Sequence, residues 1–75
     1  MDRLTKKIFS RNLKTVREML GQTQSEFAAK IAMTSAAVSA WETGSSFPSE
    51  KTLNKIVEIH RIAKEFLLYG EGNIF

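Results

Sequence analysis

The sequence predicts an all-α fold, a compact bundle of about five short helices. Three observations carry that expectation. Apolar residues recur three and four apart along most of the chain, the spacing of a helix face. Gly21, Gly44 and Gly70 fall where these periodic runs stop, as residues that end helices do. The β-branched residues never alternate with polar ones over a useful length, so strands have no support. Seventy-five residues make one domain, near the lower limit for a core that folds without staples. With no Cys, disulfides and thiolate metal sites are unavailable, and a reducing cytoplasm is the expected compartment.

The elements follow in chain order. Residues 1–7 lack a clear apolar face and are expected to form a basic N-terminal arm carrying Arg3, Lys6 and Lys7, ahead of a domain over 8–75. Phe9, Leu13, Val16 and Leu20 recur at helical spacing, which predicts a first helix from about Ile8 to Leu20. Thr23 with Glu26 forms a T-x-x-E capping box for a second helix. Thr34 is positioned to cap a third, running to about Glu42 and stopping at Gly44. Phe27 and Ile31 stack on one face of the second helix, and Val38 and Trp41 on one face of the third. Ala28 lies where the two would touch most closely, with Met33 expected beneath both, so residues 24–43 form a tight helical corner; Met19, like Met33, is expected to be a packing residue. TGSSFPS, from Thr43 to Ser49, is a loop by composition. Pro48 and Ser49 open a fourth helix with Leu53, Ile56, Val57 and His60 on one side. A short fifth segment, AKEFLLYG, closes at Gly70. The tail is rich in apolar groups, from Phe66 to Tyr69 and then Ile74 and Phe75. Some are expected to cap the core and others to serve a contact between two copies.

The stretch QSEFAAKIAMTSAAVSAWET, Gln24 to Thr43, resembles the Cro/cI-type (Xre-type) helix-turn-helix family. Its unit has five apolar positions and one small residue, matched by Phe27, Ile31, Met33, Val38, Trp41 and Ala28. The resemblance extends over roughly Ile8 to Glu71, with Arg17, Gln24, Glu42, Gly44 and Pro48 in the family's order and a closing FLLYGEG similar to phage and prophage repressor domains. It implies a lambda-repressor-like fold. One position departs: the family's turn usually has Gly, where this chain has Ala32. A left-handed backbone there costs Ala about 1 kcal/mol.

The resemblance also implies roles. Gln24, opening the second helix, matches the residue that binds a backbone phosphate, and free N–H groups at a helix start favour an anion there. Arg17 and Glu42 match an ion pair tying the first helix to the end of the third, a structural role. Base reading belongs to the third helix and maps onto Ser35, Ala36, Ser39 and Ala40. At about 100° per residue, these share a face with Thr43, while Val38 and Trp41 point away. That face has no Arg, Lys, Asn or Gln, so bidentate pairing to guanine or adenine is unavailable. Its methyl groups suit thymine methyls, and its hydroxyls suit bridging water. Further phosphate candidates are Arg11 and Lys14 on the first helix, and Thr43, Ser45, Ser46 and Lys51 around and beyond the corner.

Charge distribution points the same way. The first seventeen residues hold Arg3, Lys6, Lys7, Arg11, Lys14 and Arg17 against Asp2 alone, whereas the remainder holds five basic and seven acidic residues. A cationic end on a near-neutral body suits a partner with dense negative charge, and the resemblance to phage repressors implies an arm whose Arg3, Lys6 and Lys7 reach around the duplex. There is no membrane-length apolar run and no signal-peptide core. A lone His without Cys or clustered carboxylates makes no metal site, and no catalytic constellation or cofactor-binding motif is present. The expected function is a sequence-specific regulator that binds double-stranded DNA as a homodimer on an inverted repeat, most simply a phage or prophage repressor. A C-terminal domain or an antirepressor is a candidate further partner. The alternatives are a protein-interaction module on the same fold and an antitoxin-type regulator.

Overall fold

The computed structural model describes residues 2–75, and among them there are five helices and no strands. They are α1 (Arg3–Met19), α2 (Gln24–Lys30), α3 (Ser35–Thr43), α4 (Glu50–His60) and α5 (Lys64–Tyr69). Helix α1 is the spine, packing on α3 and α5, while α2 packs on α3. The core joins Phe9, Leu13 and Val16 of α1 to Phe27, Ile31, Val38, Ile56 and Leu67, all fully buried, with Trp41, Leu53, Ile62 and Leu68 around them. Phe47, from the loop before α4, closes one side with its ring centroid 4.6 Å from that of Phe9.

Local chemistry sets most boundaries. Thr23 and Glu26 make both bonds of the capping box, at 3.0 and 2.8 Å. Thr34 and Ser49 accept the N–H groups of Ala37 and Thr52, each at 3.2 Å. Gly44 ends α3 with φ +82°, a conformation that L side chains rarely adopt. Helix α5 has no side-chain cap; instead the Ala63 N–H donates to the Ile74 carbonyl at 2.7 Å, folding the tail back so that Ile74 packs on the core.

Three expectations are corrected. Helix α1 begins at Arg3, not near Ile8, so residues 3–7 of the expected arm are helical; Met1 lies outside the described residues. The cause is Asp2, whose carboxylate accepts the Thr5 N–H at 2.8 Å and caps the helix ahead of its first buried residue. Met33 is 37% exposed rather than tucked beneath the corner. Ile31 and Phe27, with the His60 ring stacked on Phe27 at 4.1 Å, fill the space behind the turn. Met19 is 59% exposed rather than packed, because Leu20 takes the inward place at the end of α1.

Candidate nucleic-acid interface

The corner between α2 and α3 is closed by backbone. The Ala28 carbonyl accepts the N–H groups of Ile31 and Met33 at 3.1 and 2.9 Å, and Ala32 between them takes φ +57°. Ala28 itself is buried, so the helices meet with only a methyl between them. With Val38 and Trp41 inward, α3 exposes Ser35, Ala36 and Thr43 to solvent and leaves Ser39 and Ala40 half-buried at the edge of that face. The predicted base-reading residues therefore share one accessible surface of small side chains.

A polar network sets the position of α3 relative to α1. Arg17 Nε and Nη2 donate to Glu42 Oε2 and Oε1 at 2.7 and 3.1 Å, and Arg17 Nη1 donates to the Gln22 carbonyl at 2.8 Å. The Glu42 side chain is 4% exposed and that of Arg17 12%, so this is a buried bidentate pair of the strong kind. Its hydrogen bond to Glu42 raises the pKa of Arg17 further, against the opposing effect of burial. Gln24 joins the same carboxylate, donating from Nε2 to Glu42 Oε1 at 3.2 Å. The family resemblance implies a phosphate role for Gln24 and a structural one for Glu42. The structure brings them together, leaving the amide carbonyl and one N–H of Gln24 unengaged by that bond. Only the fold could reveal the contact, because eighteen residues separate the two.

The remaining candidates divide into two groups. Thr43 Oγ1 donates to the Ala40 carbonyl at 3.2 Å and lies 2.9 Å from Ser45 Oγ, so the two hydroxyls form a short chain at the end of α3. Ser45 and Ser46 are exposed beside it. Arg3, Lys6 and Lys7 line an open cleft with Thr43 and Gly44, which joins the supposed arm to the end of α3. Arg11 stands apart, bordering a shallow groove with Leu4, Lys7 and Ile8, and Lys14 is exposed on α1. Lys51 is exposed in the first turn of α4. Among the described residues no cluster of His, Cys, Asp or Glu is arranged to hold a metal ion. Among the same described residues no helix is long and apolar enough to cross a membrane.

Comparison with known proteins agrees with this geometry. A family model described as helix-turn-helix matches residues 13–67. The chain belongs to the Xre/Cro-type helix-turn-helix family. Within it, the chain is 41% identical over 66 residues to an uncharacterized HTH-type transcriptional regulator, YqaE, of Bacillus subtilis (strain 168). The match covers 88% of this chain and 57% of that relative, so the chain spans little more than half of the relative's length. The fold is similar to that of the P22 c2 repressor, solved in complex with synthetic operator 9T in the presence of Tl+. That match has a TM-score of 0.78 and 19% sequence identity, and it covers 84% of this chain and 96% of the repressor chain. A family member is thus recognisable from α1 to α5, with the lambda- and P22-repressor-like architecture that the sequence predicts.

Proposed function

We propose that this protein is a sequence-specific double-stranded DNA-binding transcriptional regulator, a repressor of phage or prophage type. It acts in the cytoplasm as a homodimer on an inverted repeat. The single observation that carries the reading is the exposed face of α3, small enough to lie close to the floor of a major groove, held by the buried Arg17–Glu42 pair. Ser35, Ala36, Ser39 and Ala40 read bases through methyl and water-mediated contacts. Gln24, Thr43, Ser45 and Ser46 bind phosphates, with Arg11 and Lys14 adding to the field along α1. The similarity to a repressor solved with its operator, and to an HTH-type regulator, supports this assignment. Tyr69 and Phe75, exposed at the end of α5 and in the tail, supply the contact between two copies. Two α3 helices related by that two-fold axis enter successive major grooves about 34–36 Å apart.

Selection from a random duplex pool, at low and then physiological salt, tests the proposal. The expected product is an inverted repeat, rich in thymine where it faces Ala36 and Ala40. Folded protein that enriches nothing at either salt rejects DNA reading. The α3 face would then be a docking surface for another protein.

A further inference from the structure

The helical start of α1 sets the register of its first cations. With Ser10 as origin, about 100° per residue puts Arg3, Lys6, Lys14 and Arg17 within about 40° of one line along the helix. Two contacts orient that line towards the end of α3. Arg17 grips Glu42, and the buried Ser10 lies against Gly44, where an added Cβ would stand 3.7 Å from Ser10 Oγ. Arg3 and Lys6 therefore overhang the end of α3. There, with Lys7, Thr43 and Gly44, they line an open cleft of about 230 Å³.

The carbonyl end of a helix ordinarily contributes negative potential. Here the following loop closes over it. The Ala40 carbonyl accepts Ser45 N–H at 2.9 Å, Ser46 N–H at 3.3 Å and the Thr43 hydroxyl at 3.2 Å, and the Trp41 carbonyl accepts Gly44 N–H at 3.4 Å. Among the described residues no carboxylate lies within ion-pair distance of Arg3, Lys6 or Lys7, and the Asp2 side chain is engaged by Thr5. The cleft is thus a cationic recess beside exposed Ser45 and Ser46.

We propose that this cleft seats a backbone phosphate of duplex DNA, with Arg3 and Lys6 as its ligands, outside the helix-turn-helix unit itself. The assignment rests on the DNA-binding reading above. A guanidinium and an ammonium three residues apart on one helix offer a phosphodiester a forked donor and a point charge together.

The test compares Arg3→Gln/Lys6→Gln with Lys55→Gln/Arg61→Gln, an equal charge change on α4 and its C-terminal end. Arg3 and Lys6 are exposed, and Gln is a good helix former, so circular dichroism should find the cleft variant folded. Binding to a random-sequence duplex is measured from about 50 to 200 mM salt. The cleft variant is expected to lose about 0.9 from the slope of log K against log salt, so its affinity falls about threefold less across that range than that of the wild type. The control is expected to keep the wild-type slope. A cleft variant with the wild-type slope overturns the proposal and leaves DNA binding standing, as does an equal loss in both variants, which would report net charge alone. A wild type without salt-dependent binding overturns both readings. Inorganic phosphate is titrated in parallel against the Lys6 and Gly44 amide resonances. Saturation there with an unchanged DNA slope would make the cleft a free-anion site and overturn the DNA assignment.

Discussion

Glu42 accepts three side-chain hydrogen bonds, two from Arg17 and one from Gln24, and so carries a structural duty at the edge of the interface. Removing it strands a largely buried guanidinium. Glu42→Ala should therefore lose about 3–5 kcal/mol, a large share of the stability of so small a domain. Urea unfolding measures this, and an unchanged midpoint would show the pair to be dispensable. Gln24 makes one ordinary bond to the same group at 3.2 Å. Gln24→Ala should change stability by about 1 kcal/mol or less while weakening DNA binding at every sequence, which separates the two roles. At Ala32, φ is +57°, and glycine would relieve about 1 kcal/mol of strain. Glycine also adds about 0.4–1 kcal/mol of unfolded-chain entropy, so Ala32→Gly should stabilise by no more than about 0.6 kcal/mol on the same assay.

Helix α1 is the element whose extent matters most. Its first five residues bury nothing large, with Leu4 exposed, so the Asp2 cap rather than packing starts it. Asp2→Ala is expected to fray this turn, seen as faster amide exchange over residues 5–8 with no change near Leu13. Equal protection in the variant would mean that the cap is not what holds the turn. Deleting residues 1–7 would remove about 1.4 helical turns, with Arg3 and Lys6 on them, rather than a free arm. Helix α3 depends on its own cap. Thr34→Ala should destabilise by about 1 kcal/mol and loosen the turn that presents Ser35 and Ala36.

Over the whole molecule, acid should weaken the fold. His60 is buried against Phe27, and desolvation, aided by the positive charge of Lys30, pushes its pKa below the ordinary value of about 6.5 despite the opposing bond to the Ile56 carbonyl. Between the folded and ordinary values the unfolded chain binds more protons. The contribution is therefore complete above about pH 6.5 and is lost as pH falls towards and through the lowered folded value. Asp2 and Glu26, whose carboxyls are held below their ordinary range by the N–H groups of Thr5 and Thr23, add losses at lower pH. Urea midpoints between about pH 7 and 5 should fall in the wild type and stay flatter in His60→Phe, which keeps a ring on Phe27. Parallel curves would assign the acid sensitivity to other groups.

Helix identity, order and most ends were determined by the sequence alone. Apolar periodicity and caps such as Thr23–Glu26, Thr34 and Gly44 act between residues a few places apart. The tight corner and the inward phase of Trp41 were legible for the same reason. Asp2, three residues before Thr5, is a local capping signal too, but one that no apolar face accompanies. Tertiary packing decided the rest. Met19 and Met33 have the chemistry of core residues but no remaining space, because Leu20, Ile31 and the Phe27–His60 stack occupy the inside. Asn12 donates to the Phe66 carbonyl at 2.9 Å across fifty-four residues, and Gln24 meets Glu42 across eighteen. Such partners are chosen by how helices pack, and one-dimensional spacing carries no record of that. The cleft beneath Arg3 and Lys6 belongs to the same class, since it exists only where α1 crosses the end of α3.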